Sequence, residues 1–143
     1  MRQLAKESLK YPPVVFDGRQ ARTVARGFAR AIEIGGYVIH ACAILPEHVH
    51  LVVARHSLPI ERIIAHLKKE ATKRLLAEGI HPLEAFRKGD RPPPSPWGQK
   101  KGWVVYLSSD AEIQQRIEYV EENPLKEGKK RQGWRFVTPF ARR

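Results

Sequence analysis

The sequence is poor in cysteine and has no long apolar run. Cys42 is the only cysteine among 143 residues, so a disulfide within the chain and a zinc site built from cysteines are both excluded. No apolar run approaches the roughly 18 residues that a membrane-spanning helix needs, and the first residues lack the apolar stretch of an export signal. We therefore expect a cytoplasmic protein that does not span a membrane.

Acidic residues are also scarce relative to basic ones. The chain has 26 lysines and arginines against 15 aspartates and glutamates, and its formal net charge is +11. A small protein with this charge attracts polyanions, so nucleic acid is the first partner to consider and a location at the nucleoid is expected. The alternative is a basic protein without such a partner.

The apolar content suits one folded domain. Apolar residues make up 42% of the chain and charged residues 29%, which is a globular composition. A chain of 143 residues can bury a hydrophobic core but is too short for two ordinary domains. We predict a single domain over residues 1–143, with a basic tail from about residue 126.

Hydrophobic periodicity predicts both helices and strands. Helical spacing over residues 19–34, between the cap Asp17 and the glycines at 35 and 36, predicts a first helix, and an amphipathic pattern predicts a second over residues 59–78. The other predictions are an edge strand at 9–16, a hairpin of 37–44 with 48–54, a loop over 91–102, a strand at 103–107, a helix from 111 to about 123 that stops before Pro124, and a last strand at 134–137. This order predicts an α+β fold, in which helices pack on an antiparallel sheet of about four to five strands, related to the split βαβ (ferredoxin-like) arrangement.

Two histidines occur two positions apart in the second strand of the hairpin. Because successive side chains of a strand alternate, His48 and His50 leave one face and Val49 leaves the other. Two imidazoles on one face can bind one metal ion. In a chain with six histidines, the alternative is a pair on a solvated face.

A tyrosine and an asparagine are neighbours on the last helix. Tyr119 and Asn123 are four residues apart, and they lie together on one flank of the apolar stripe formed by Ile113, Ile117 and Val120. A half-exposed tyrosine beside a carboxamide can meet a group on the sheet. The alternative is a tyrosine that covers the rim of the core.

The joint pattern is more specific than either pair. The segment LPEHVHLVV (Leu45–Val53), Trp97 ahead of a strand, and YVEENPLKEG (Tyr119–Gly128) occur in this order. Together they resemble the REP-associated tyrosine transposases, which are single-tyrosine HUH transposases. The resemblance covers roughly Tyr37 to Gly128.

The resemblance implies a site and a reaction. His48 and His50 would bind a divalent metal, Mg²⁺ or Mn²⁺, Asn123 would complete the site, and Tyr119 would attack a phosphate of single-stranded, hairpin-bearing DNA. The implied product is a 5′-phosphotyrosine link with a free 3′-hydroxyl, which can be rejoined. Relatives include monomers and homodimers. A tyrosine nucleophile must be activated at neutral pH, since a free tyrosine has a pKa of about 10.

Basic and aromatic side chains are candidates for DNA contacts. The basic candidates near the site are Lys68, Lys69, Lys73, Lys100, Lys101, Lys129, Lys130 and Arg131. The rings of Trp97 and Trp103 are candidates for stacking on unpaired bases, with core packing as the alternative.

Two other functions fit the same sequence. The first is a domesticated transposase that binds structured DNA or RNA without cutting it. The second is a metal-dependent phosphodiesterase that uses water as the nucleophile, with Tyr119 in a structural role.

Overall fold

The computed structural model describes residues 11–98, 102–107 and 112–140. Its regular elements are α1 (Gly18–Gly35), β1 (Ile39–Ile44), β2 (His48–Val53), α2 (Ile60–Ala77), a 3₁₀ turn at Glu84–Phe86, β3 (Gly102–Leu107) and α3 (Ile113–Lys126). Helices pack on both faces of one sheet, so the predicted α+β class is confirmed.

The sheet contains three strands in the order β1-β2-β3, within the described residues. β1 and β2 form the predicted antiparallel hairpin, in which Ile44 lies opposite Val49. β2 and β3 are parallel, with His48 opposite Gly102. The sheet is therefore mixed and not antiparallel throughout, because the long connection through α2 returns the chain to run β3 parallel to β2. It has fewer strands than the four to five expected, since the described residues 11–16 and 134–137 form no strand.

The ends of α1 follow from its capping residues. The side chain of Asp17 accepts a hydrogen bond from the Gln20 amide at 2.7 Å, and the Asp17 amide donates to the Gln20 side chain at 3.0 Å. This reciprocal pair satisfies amide donors that the first turn leaves unpaired. At the other end Gly36 has φ of 67°, a left-handed conformation that favours glycine. The predicted helix and both its signals are confirmed.

One side of the sheet, which we call the core face, is covered by α1 and α2. Its buried strand residues are Ile39, Cys42, Ile44, Val49, Leu51 and Val53. They pack with fully buried side chains of both helices, such as Phe28 and Leu67. The period of two in β2 thus places every second residue against two helices.

The two helices on the core face approach each other closely at Gly27. A Cβ added there would lie 2.4 Å from the Ala71 Cα, so only glycine permits this approach. Next to this contact, Glu78 at the end of α2 accepts hydrogen bonds from Thr23 at 2.8 Å and Arg26 at 2.6 Å on α1. The close backbone contact at Gly27 and the hydrogen bonds to Glu78 together hold α1 against α2.

The opposite side of the sheet, which we call the site face, is covered by α3. The buried residues that meet there are Ala41, Ala43, Val52, Ile113, Ile117 and Val120. Two alanines on β1 let the helix lie close to the sheet. The apolar stripe predicted for α3 is therefore the surface that packs on the strands.

The C-terminal segment lies along the free edge of β1 without forming the strand predicted at 134–137. Val137 makes a single isolated bridge with Ile39. The side chain of Gln132 accepts from the Ile44 amide at 2.7 Å and donates to the Ile44 carbonyl at 2.9 Å. A side-chain amide thus occupies part of the edge, which leaves no continuous ladder for a fourth strand.

Two other predictions are corrected. Residues 11–16 are not a strand, as the consecutive Pro12 and Pro13 remove two backbone donors; residues 9 and 10 lie outside the described part. α3 does not stop before Pro124 but continues to Lys126. A proline this close to the end of a helix removes only one amide donor, and the Pro124 carbonyl is itself used by the Lys129 amide at 2.8 Å.

The remaining boundaries agree with the predictions to within about two residues. The predicted caps at 108–111 before α3 lie outside the described residues, as do residues 99–101 of the predicted loop. Within the described ranges, no helix is both long enough and apolar enough to cross a membrane.

Candidate functional site

β2 places both histidines of the HVH segment on the site face. Val49 between them is fully buried in the core face, so the alternation of the strand directs the two imidazoles the other way. The ring centroids of His48 and His50 are 6.0 Å apart. With a metal–nitrogen bond of about 2.1 Å, rings at roughly this separation can bind the same ion.

Gly102 makes room for His48. It lies directly opposite His48 in the parallel pair, and a Cβ added to it would fall 2.6 Å from His48 Nδ1. Any larger residue would displace the imidazole. The position of this ring therefore depends on β3 as well as on β2.

His50 is the more deeply enclosed of the two imidazoles. Only 6% of the residue is exposed, and its Nδ1 is buried with no hydrogen-bond partner among the described residues. Burial lowers the pKa of His50, and the neighbouring His48 lowers this pKa further, whereas the carboxylate of Glu127 acts in the opposite direction. The neutral imidazole that results is the form that binds metals.

α3 brings Tyr119 to the same place. The Tyr119 ring lies 6.2 Å from the His50 ring between centroids, in the same chain, and 41% of the residue is exposed. The Lys126 ammonium lies 4.6 Å from the centre of the Tyr119 ring. A phenol beside an imidazole and an ammonium, open to solvent, can be reached by a phosphate.

Asn123 is buried between Tyr119 and the end of the helix. Its exposed fraction is 8%, and its Nδ2 donates to the Tyr119 carbonyl at 3.0 Å. This bond uses the nitrogen of the carboxamide, so the oxygen is the atom that can bind a cation. No group of three histidine, cysteine or carboxylate side chains suited to a metal occurs in the described residues. A metal at the histidine pair would therefore need further ligands from other groups, such as phosphate or water. The Asn123 oxygen is the candidate that the sequence predicted, and no contact of Asn123 with either histidine is observed among the described residues.

Tyr106 on β3 extends the site away from the histidines. It lies opposite Val52 in the parallel pair, and its ring is 6.3 Å from the Tyr119 ring. The Arg116 guanidinium lies over Tyr106, 4.5 Å from the ring centre. The site face thus contains a second tyrosine and two cations that the sequence interpretation did not select.

The basic residues predicted to contact DNA do not all lie near the histidine pair. Lys68, Lys69 and Lys73 belong to α2, which covers the core face, so the sheet separates them from the histidine pair. Lys68 Nζ lies 5.0 Å from the Trp103 ring centre, and burial lowers the pKa of Lys68.

The other basic candidates immediately precede β3 or follow α3 in the sequence. Lys129, Lys130 and Arg131 are exposed just after α3, where the chain turns toward the edge of β1. Lys100 and Lys101 lie outside the described residues.

Both tryptophan rings pack beside the core face. The Trp97 and Trp103 ring centroids are 5.3 Å apart, Trp97 also contacts Phe16, and Trp103 contacts Phe28. Trp97 Nε1 donates to the Thr72 hydroxyl at 2.8 Å. These rings hold the chain around Trp97 against α1 and α2, on the side of the sheet opposite His48 and His50.

Gly102, Tyr106, Arg116 and Lys126 are the site residues that sequence reasoning missed. The spacing of Arg116, Tyr119 and Lys126 on one helix is a signal that helical periodicity contains. No such signal exists for Gly102 and Tyr106, because their nearness depends on the register between β2 and β3.

Comparisons with known proteins found no relative of this chain. No protein-family model matches the chain, no curated protein matches it, and no solved structure matches it.

Proposed function

We propose that this protein cleaves and rejoins single-stranded, hairpin-bearing DNA, with Tyr119 as the nucleophile and a divalent cation, Mg²⁺ or Mn²⁺, held by His48 and His50. The observation that carries the proposal is the approach of Tyr119 to His50 on the site face. These residues are far apart in sequence and lie on different elements, yet their rings are 6.2 Å apart between centroids.

The histidine pair suits a divalent cation. Nδ1 of His50 has no hydrogen-bond partner among the described residues, so its burial is costly unless it binds something, and a neutral imidazole is available for a metal. Nitrogen ligands with an amide oxygen suit Mn²⁺ better than Mg²⁺, which prefers oxygen donors. A cation bound there supplies Lewis-acid stabilisation of the negative charge that develops on a phosphate during attack.

The proposed step exchanges one phosphoester for another. The Tyr119 oxygen bonds to phosphorus and gives up its proton, while the bond from phosphorus to the 3′-oxygen breaks and that oxygen takes up a proton. The products are a 5′-phosphotyrosine link and a free 3′-hydroxyl. Attack by another 3′-hydroxyl reverses the step and joins the strands without ATP, since the number of phosphoester bonds is unchanged.

A denaturing gel tests the nucleophile. The protein is incubated with labelled hairpin-bearing single-stranded DNA and Mn²⁺, and a covalent adduct is expected that Tyr119→Phe abolishes. Tyr106→Phe is the matched control, because it removes a hydroxyl from the neighbouring ring on the same face, and it should leave the adduct in place. Peptide mapping of the adduct should locate the DNA on Tyr119.

Removing the imidazole tests the metal. His50→Leu should abolish the adduct and Mn²⁺ binding while the fold survives, because an apolar side chain of similar size replaces an imidazole whose buried Nδ1 has no hydrogen-bond partner in the part of the chain that the structure describes.

The two alternative functions give different results. Salt-sensitive binding of hairpins without any adduct, unchanged in Tyr119→Phe, would favour a non-cleaving DNA- or RNA-binding protein. Cleavage without a covalent adduct, retained in Tyr119→Phe, would favour a phosphodiesterase that uses water.

A further inference from the structure

The cationic side chains of α3 lie on the same flank as Tyr119. Arg116 precedes Tyr119 by three residues and Lys126 follows it by seven, and both spacings return to within about 60° of Tyr119 on a helix. Glu118 and Glu121 lie on other sides of the same helix, whereas Glu122, three residues after Tyr119, lies at the edge of this flank. α3 is not basic as a whole, but both of its cationic side chains, Arg116 and Lys126, lie on the flank beside the site.

The side chains on this flank form a continuous row. The Lys126 ammonium lies 4.6 Å from the Tyr119 ring centre, the Tyr119 ring lies 6.3 Å from the Tyr106 ring, and the Arg116 guanidinium lies 4.5 Å from the Tyr106 ring centre. At 1.5 Å per residue, the part of α3 from Arg116 to Lys126 is about 15 Å long, enough for roughly two to four nucleotides of one strand.

We propose that Arg116, Tyr106 and Lys126 form the seat for a single DNA strand across Tyr119, with the cations on backbone phosphates and the Tyr106 ring stacked on a base. This inference rests on the proposed function in taking single-stranded DNA as the ligand. It assigns strand binding to the site face instead of to the lysines of α2 on the other side of the sheet. Cations combined with aromatic rings bind single strands without sequence preference.

Arg116 already forms an ion pair with Glu112, but this pair does not prevent the guanidinium from binding a phosphate. Its Nη2 donates to Glu112 at 3.0 Å, and both side chains are about half exposed. Such surface pairs contribute little stability, so a phosphate can compete for the guanidinium. In the proposed complex the guanidinium moves from the face of the Tyr106 ring to a phosphate, and the ring face that it leaves is the one on which a base stacks.

Binding of an oligothymidine strand tests the seat separately from the chemistry. The measurement is fluorescence anisotropy of labelled oligothymidine in EDTA, with every variant made in a Tyr119→Phe chain that cannot form an adduct. Arg116→Gln with Lys126→Gln should weaken binding at least 10-fold. It should also reduce the slope of log Kd against log salt by about 1.4, since each phosphate contact contributes about 0.7 on a single strand.

The matched control also removes two positive charges, but from α2 on the core face. Lys69→Gln with Lys73→Gln changes two exposed lysines of α2, and it should leave affinity and salt slope nearly unchanged. An equal or larger effect of this pair would overturn the inference, and so would the absence of any binding by the Tyr119→Phe parent.

A second pair of variants tests the ring. Tyr106→Leu should weaken oligothymidine binding by about 5- to 150-fold, the range for one stacked base, whereas Tyr106→Phe should keep it. Equal binding by both variants would contradict the stacking role. The adduct assay is independent of these binding measurements. If the Arg116, Lys126 and Tyr106 variants lose binding but the protein with Tyr119 forms no adduct, the strand-binding inference is supported and the proposed cleavage function is refuted.

Discussion

The two faces of the sheet differ in what their helices cover. On the core face, α1 and α2 bury Ile44, Val49, Leu51 and Val53 completely or nearly so. On the site face, a single helix packs on two alanines and a valine and leaves the histidine pair at its margin. Strand β2 contributes to both faces, because its successive side chains alternate between them.

The difference separates stability from function within one strand. Apolar side chains against two helices supply most of the free energy of folding, since hydrophobic burial dominates it. The site face retains a buried imidazole nitrogen, Nδ1 of His50, that has no partner within residues 11–98, 102–107 and 112–140, and such a nitrogen lowers stability unless a ligand is bound. Substitutions on the core face should therefore change stability, and substitutions on the site face should change binding.

The largest effect on stability is expected at Gly27. Gly27→Ala places a methyl group 2.4 Å from the Ala71 Cα, which is backbone and cannot move alone, so α1 and α2 must separate. We expect a loss of about 1–3 kcal/mol in the free energy of unfolding, measured by urea denaturation. Gly18→Ala is the control, because the added Cβ would meet only the end of the Arg22 side chain at 3.4 Å. Equal stability of both variants would contradict the close contact.

An intermediate effect is expected at Gly102, and it should fall on binding. Gly102→Ala places a methyl group 2.6 Å from His48 Nδ1, and the imidazole can turn away without moving the backbone. Affinity for Mn²⁺, measured by calorimetry, should fall by about 10- to 100-fold, while stability changes by less than about 1 kcal/mol. Gly98→Ala, where a Cβ meets nothing within 4 Å, should change neither. A large stability loss with unchanged affinity would reverse the comparison of the two faces.

The smallest effect is expected at Glu78, and it should depend on pH. Hydrogen bonds from Arg26 and then Thr23 lower the pKa of Glu78 below its usual value near 4.5. A carboxylate with a lowered pKa in the folded state stabilises the fold above the usual pKa, and this stability is lost as the pH falls through the folded pKa. Wild type should therefore be more stable than Glu78→Gln at pH 7, and the difference should shrink below about pH 4.5.

Unfolding curves at several pH values check this prediction, and Mn²⁺ affinity of Glu78→Gln at pH 7 serves as the control. That affinity should stay at the wild-type value, because Glu78 joins the two helices of the core face. A stability difference that is independent of pH would contradict the role of the carboxylate.

Local elements were predictable because their signals are local. The cap at Asp17 and the glycine at 36 are both within a few residues of the helix they bound, and they set the limits of α1 correctly. Alternation likewise placed His48 and His50 together on one face. The end of α3 was not predictable in this way, since Pro124 usually stops a helix but is tolerated in this last turn.

The candidate site was only partly predictable. Tyr119 and Asn123 are neighbours by helical periodicity, and the histidines are neighbours by strand periodicity. The glycine that admits His48 and the Tyr106 ring beside Tyr119 depend on the pairing of β2 with β3. That register is the result of contacts between segments separated by α2 and a long loop, and no local pattern contains it.

By itself, the sequence determined which side chains share a face: His48 with His50, and Tyr119 with Asn123. Only the tertiary structure decided that the histidine face meets α3 rather than α1 and α2, and that Gly102, Tyr106 and Arg116 join it. The physical reason is that the 2.0 and 3.6 periodicities act over a few residues of backbone, whereas the choice of packing partner is made by hydrophobic burial summed over the whole chain.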